Sequence, residues 1–222
     1  MSEKVQDEML RLNSKLLQPM YELQCLSLPD TYVTIALLYV RCIVAKLSDL
    51  EQDSVLKCAS ILCFCETWLS PSQPSLVVQG NQVALRCDRA LGNHKGRVMI
   101  SVPQNMQPAC TSKFTTNGIE GVTTTLLLPN ATQLQVALMY RLPSVSSDAF
   151  LSALTTIVNL IAISDIPTVV LGDFNEDLLQ KPDSRILTLM ASNGYQQLVQ
   201  SPTTDRGTRL IMSISIDHQA GL

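Results

Sequence analysis

A chain of 222 residues that is 46% hydrophobic can bury the core of one globular domain. Its formal charge of −3 gives no overall positive field for a polyanion, so any nucleic-acid contact has to be a local patch. The opening "MSEKVQDEML" is too charged for a signal peptide and no apolar run reaches the roughly 18 residues of a membrane span; the expectation is an intracellular protein, nuclear or cytoplasmic, with no membrane partner.

In chain order, Met9, Leu12, Leu16, Leu17, Leu23 and Leu26 have helical spacing, interrupted by Pro19. This predicts a helical lead-in or linker over 1–30, ahead of a domain over 31–222. "YVTIALLYV" (32–40) predicts a buried strand, and "VAKLSDLEQDSVLKCAS" (44–60) a helix with Ser48 or Asp49 as its cap. "ILCFCETWLSP" (61–71) reads as a short strand that ends on Glu66, before Pro71 breaks the chain. Strands follow in "LVVQG", "QVALRCDR", "GRVMISVP", "TTTLLLP" and "LQVALMYRLP", joined by Gly, Asn and Pro turns. The glycosylation pattern Asn130-Ala131-Thr132 reads as one of those turns.

Residues 146–163 predict a helix that starts at Ser147 or Asp148 and aligns Phe150, Leu151, Leu154, Ile157, Val158 and Ile161 on one side. "IPTVVLGDFN" is the next strand, "DSRILTLMASNG" a helix closed by Asn193-Gly194, and "YQQLVQSPTTDRGTRLI" a loop leading to a last strand. Turn-length links between most strands favour an α/β sandwich of two sheets under helices over a doubly wound sheet. Seven cysteines, at positions 25, 42, 58, 63, 65, 87 and 110, are scattered among apolar neighbours and read as reduced, mostly buried thiols.

Chemistry concentrates at strand ends. In "TVVLGDFNED" (168–177) an apolar run ends on Asp173 and Asn175, which extended backbone would place on one face with Phe174 opposite. Asp, Asn and Gly are also common turn formers. Glu66 ends a second strand, and carboxylates on neighbouring strand ends can hold Mg²⁺, which takes one or two carboxylates plus waters and phosphate oxygens. A third strand end, "ALMYRLPS", offers Tyr140 and Arg141 as a phenol and a cation to grip phosphate. "RCDRALGNHKGRVMI" concentrates Arg86, Arg89, His94, Lys95 and Arg97, either as a DNA-backbone-contacting loop or as a solvated charged hairpin.

Read in order, "ETWL", "GNHKGRVMI", "YRLPS", "LGDFN" and "SPTTDRGTRLI" make the chain resemble the endonuclease/exonuclease/phosphatase superfamily from about residue 32 to 210. This is the deoxyribonuclease-like fold, and the wording is most similar to endonuclease domains of mobile elements, of the non-LTR retrotransposon and Helitron-associated types. The resemblance implies hydrolysis of DNA phosphodiesters with Mg²⁺ (or Mn²⁺). Glu66 would match the metal-binding Glu, Asp173 the acid that orients or deprotonates water, Asn175 the amide that holds phosphate, and Tyr140 the active-site tyrosine. Arg141, His94 and Lys95 would be phosphate or DNA contacts. The expectation for assembly is a monomer, or a part of a larger polyprotein.

Two departures qualify that implication. Tyr39 stands where the family's first strand ends in Asn, and a phenol lacks an amide's geometry. The C-terminal "RGTRLIMSISIDHQAGL" lacks the family's terminal Asp-His, for which Asp217 and His218 are a displaced candidate or an accidental pair in a tail. The expectation is therefore a C-terminally truncated domain with an exposed sheet edge. Its alternative reading is a catalytically inactive transposon-derived remnant that at most binds DNA or protein.

Overall fold

Short, mainly apolar runs bounded by turn residues suit strands covered on both faces. Ile61–Cys65, Val98–Val102 and Thr168–Asp173 are buried throughout. A computed structural model describes residues 21–28, 31–88, 97–116, 119–164, 166–176, 184–198 and 211–216, with backbone alone for 21–28, 31 and 211–216.

Two six-stranded sheets face each other. The first orders β1 (Tyr21–Leu28), β2 (Thr31–Tyr39), β3 (Ile61–Cys65), β6 (Val98–Val102), β5 (Asn81–Cys87) and β4 (Val77–Val78). The second orders β11 (Tyr195–Gln197), β12 (Ile211–Ile216), β10 (Thr168–Asp173), β9 (Gln133–Arg141), β8 (Ile119–Leu127) and β7 (Gln107–Thr116). Helix α1 (Ile43–Gln52) covers the first sheet, and α2 (Ser147–Ile161) and α3 (Arg185–Ser192) cover the second.

Strand alternation divides the core. Val33, Ile35 and Leu37 of β2, Cys63 of β3, Leu138 of β9 and Leu171 of β10 fill the gap between the sheets. The opposite faces bury Ala36 and Leu38 with Leu50 of α1, and Met139 and Val170 with Phe150 and Leu154 of α2. The predicted two-sheet α/β sandwich is the observed fold.

Local differences have physical causes. Tyr21–Leu28, expected as the end of a helical lead-in, is a strand in register with β2, because backbone pairing along an available edge outweighs weak helical spacing. The expected helix over 44–60 stops at Gln52, where the Asp53 carboxylate accepts from the amides of Val55 at 2.8 Å and Leu56 at 3.2 Å and starts a separate 3₁₀ turn. Ser48 and Asp49 therefore lie inside α1. Strand β7 escapes a hydrophobic reading because nearly all its residues are exposed on a sheet edge. The last strand expected after the loop is β12, which runs antiparallel to β10, with β11 antiparallel to β12 at the end of the sheet. Among the six cysteines whose side chains are described, all free, Cys63, Cys65 and Cys87 are buried while Cys58 and Cys110 are exposed, so burial is less general than expected.

Gly172 sits inside β10, where its φ is 152° and a Cβ would lie 1.8 Å from the Met139 carbonyl oxygen of the parallel neighbour. The glycine lets β10 run on to Asp173 instead of ending the strand. Gly172→Ala is expected to cost roughly 2–4 kcal/mol by forcing β9 and β10 apart. Urea unfolding measures it; a loss under about 0.5 kcal/mol would show that the strands can separate freely.

Candidate active site

Each sheet contains one parallel pair, β2 with β3 and β9 with β10. Their carboxyl ends converge, which is where open α/β sheets leave side chains free of ladder packing. Tyr39 and Glu66 arrive from the first sheet, Tyr140 and Asp173 from the second. Sequence reading placed the two acids on neighbouring strand ends. They belong to opposite sheets and meet across the sandwich, a relation that alternation within one strand cannot reveal.

Tyr140 and Asp173 are direct register partners, so their side chains leave the sheet on the same side. Glu66 needs a further device. Cys65 points into the inter-sheet core, and regular alternation would turn the next side chain outward. The left-handed backbone of Glu66, φ 60°, returns it to the gap, where it is 4% exposed. There the Tyr140 hydroxyl donates to Glu66 Oε1 and the Trp68 indole N–H donates to Oε2. Burial, then the hydrogen bond and charge of Glu66, push the Tyr140 phenol well up, so it stays a donor.

Asp173 is 2% exposed. Burial first, and then the Glu66 charge, push its carboxyl up to about 7, opposed by the hydrogen bond from the Asn175 amide and by the charge of Arg41. That hydrogen bond, Asn175 N–H to Asp173 Oδ1 at 2.9 Å, closes a turn in which Asn175 is left-handed, φ 47°. The Asn175 side-chain amide donates to the Arg141 carbonyl at 2.6 Å, while Phe174 points oppositely and packs on Phe150 with ring centroids 5.3 Å apart. The opposite facing of Asp173 and Phe174 matches the alternation read from sequence, but Asn175, expected to share the face of Asp173 through extended backbone, is left-handed and placed by the turn instead.

Arg141 is brought near the site but not into it. Its guanidinium donates to Glu176 at 3.1 Å, to the Val145 carbonyl at 2.8 Å and to the Phe174 carbonyl at 3.3 Å, and lies 5.0 Å from the Phe150 ring centre. Those contacts fix the loop carrying Asn175. In the basic stretch, Arg86 pairs with Asp88 at 2.8 Å and Arg97 is buried, while Arg89, His94, Lys95, and also Asp217 and His218, lie outside the described residues.

Sequence reading assigned no role to Trp68, Arg41 or Glu176. The signal for Trp68 was present, since the chain's one tryptophan stands two residues after Glu66. Arg41 extends over the Tyr39 ring, 5.3 Å from its centre, and donates to the Tyr39 hydroxyl at 3.3 Å. Burial raises the Tyr39 phenol, with Arg41 pulling it down and the nearby acids pushing it up.

The donor set suits a hard cation. Glu66 and Asp173 lie within electrostatic reach of each other, so that the Glu66 charge helps raise the Asp173 carboxyl, a repulsion that a divalent ion would offset. Among the described residues no three His, Cys, Asp or Glu side chains cluster into an all-protein metal cage. Such a site would have to be completed by water or ligand oxygens.

Because the folded pKa of Asp173 exceeds its ordinary 3.8, the folded protein holds more protons than the unfolded chain between about pH 4 and 7. Its contribution is complete below that window and lost as pH rises through 7. Asp173→Asn should therefore gain stability over the wild type across the window, by up to about 4 kcal/mol at pH 8. Thermal melts at pH 4, 6 and 8 test this, and a wild-type–variant gap that ignores pH would contradict it.

No protein-family model and no curated protein matches the sequence. Solved structures do. The chain is similar to the human Nocturnin catalytic domain with bound sulfate anion, at 15% identity over 89% of this chain and 86% of that one, with a TM-score of 0.61. It is similar to the endonuclease domain of TRAS1, a telomere-specific non-LTR retrotransposon, at 13% identity, 82% and 84% coverage and a TM-score of 0.57. A Bacteroides thetaiotaomicron endonuclease/exonuclease/phosphatase family protein aligns at 12% identity, 87% and 84% coverage and a TM-score of 0.62. With the acid pair gathered where the two sheets' parallel strands end, this chain has the deoxyribonuclease-like fold of the endonuclease/exonuclease/phosphatase family.

Proposed function

We propose that the protein is a Mg²⁺-dependent phosphodiesterase of the nuclease type, derived from a mobile element, with DNA as its substrate. The observation that carries this reading is the meeting of Glu66 and Asp173, each from a different sheet, with Tyr140 bonded to Glu66. The similarity to a retrotransposon endonuclease domain supports DNA as the ligand.

Glu66 would hold the Mg²⁺ (or Mn²⁺), oriented by the Tyr140 hydroxyl and the Trp68 indole. When bound, the cation supplies Lewis-acid stabilisation of charge on the phosphate oxygens. Asp173 acts as the base. Burial, the largest cause of its raised pKa, makes this carboxyl a better proton acceptor than an exposed aspartate, and the Asn175 backbone N–H fixes the oxygen that does not take the proton. The Asn175 amide has two N–H donors, one given to Arg141, so the other serves a phosphate oxygen. Tyr140, with its high pKa, donates and orients and does not accept a proton.

A second reading, a catalytically inactive remnant, draws on Tyr39 occupying the place of the family's asparagine. A supercoiled-plasmid nicking assay separates the two. The expected result is slow nicking that needs Mg²⁺ and falls by at least about 100-fold in Asp173→Ala. Equal behaviour of both proteins, each shown folded by circular dichroism, would establish the remnant instead.

A further inference from the structure

Left-handed backbone in residues other than glycine is strained and persists where the surroundings enforce it. Arg41 at φ 42° and Cys42 at φ 79° are consecutive instances, beside Glu66 at φ 60° and Trp68 at φ 55°. Three backbone hydrogen bonds hold the two segments together: Val40 N–H to Cys65 O at 3.1 Å, Cys42 N–H to Glu66 O at 2.9 Å and Ile43 N–H to Thr67 O at 3.1 Å. The segment carrying Arg41 is therefore fixed against the segment carrying Glu66.

The side chain is fixed as well. Tyr39 supplies a ring face 5.3 Å below the guanidinium and a hydroxyl that accepts from its Nε. Arginine has five N–H donors, and this contact uses one, leaving the terminal fork of the exposed side chain open to solvent. Arg141 presents the contrast, with its guanidinium consumed by carbonyls and Glu176. A preoriented planar fork next to two acids is suited to bidentate binding of phosphate oxygens, and its charge offsets the repulsion between those acids and a polyanion.

We propose that Arg41, stacked on Tyr39 at the rim of the acid cleft, is a phosphate-binding residue that grips the backbone of a DNA strand entering the site. This rests on the phosphodiesterase reading of the cleft. It also gives Tyr39 a task that an asparagine could not perform, since the ring is the platform on which the arginine is held.

The test is equilibrium binding of a fluorescent double-stranded oligonucleotide in EDTA, by anisotropy, between 50 and 200 mM salt. Without Mg²⁺ the readout is independent of hydrolysis. Arg41→Ala is expected to weaken binding about tenfold and to reduce the slope of log K against log salt by about 0.9, the signature of one lost phosphate contact. Arg41→Lys should keep the slope and lose part of the affinity, because the charge remains and the fork does not. Arg185→Ala, which removes an exposed arginine of α3 paired with Asp148, controls for loss of charge alone and should match the wild type. An Arg41→Ala protein with wild-type affinity and slope overturns the inference and leaves the phosphodiesterase reading standing. A wild type that fails to bind DNA overturns both. Binding that depends on Arg41, without nicking that depends on Asp173, sustains the phosphate site and removes the catalytic reading.

Discussion

The Tyr140 hydroxyl of one sheet donates to the Glu66 carboxylate of the other, and the organisation of the cleft depends on that bond. A carboxylate that is 4% exposed is stable only if its oxygens are satisfied, and here a phenol and an indole satisfy one each. The bond also ties the sheets together at the end where apolar packing gives way to acids. Asp173 lies within reach of the same charge, which with burial pushes its carboxyl toward neutrality. Burial is the larger cause, and the hydrogen-bonded carboxylate adds to it.

Backbone conformation aims these groups. Glu66, Asn175 and Arg41 are all left-handed without being glycine, and at Glu66 this returns to the gap a side chain that alternation would turn outward. The enforcing contacts differ. Backbone rungs hold Arg41 and Glu66 side by side, while Asn175 is held by its own amides, through Asp173 and the Arg141 carbonyl. Gly172 performs the complementary task, since without a Cβ it allows β10 to stay against Met139 until Asp173 has reached the cleft.

The two arginines nearest the cleft divide according to their partners. Arg141 is buried and multiply bonded, and its side chain holds the loop after β10 in place from the helix-covered face. Arg41 is exposed, with a stacking platform and one hydrogen bond. Sequence order favoured Arg141, which directly follows Tyr140. Yet successive strand residues face opposite sides, so the neighbour of an inward tyrosine is directed away from the cleft.

By itself the sequence determined the character of most strands and helices. Continuous β-branched runs such as "TVVL" and the one-sided apolar spacing from Phe150 to Ile161 arise from local periodicity, and buried faces follow from it. It also marked Glu66, Asp173, Asn175 and Tyr140 as polar groups at strand ends, and it carried enough motif order to resemble the family whose fold the structure has. Only the tertiary structure decided which sheet each strand joined, and hence that the acids meet across the sandwich and not side by side. It also decided that Tyr21–Leu28 and Gln107–Thr116 are edge strands, because an edge is stabilised by pairing with a neighbour and needs little apolar pattern of its own. Trp68 as a clamp on Glu66, Arg141 as an anchor of the Asn175 turn and Arg41 as the open cation depend on directions set by left-handed residues and cross-sheet contacts, which have no period that a linear sequence could display.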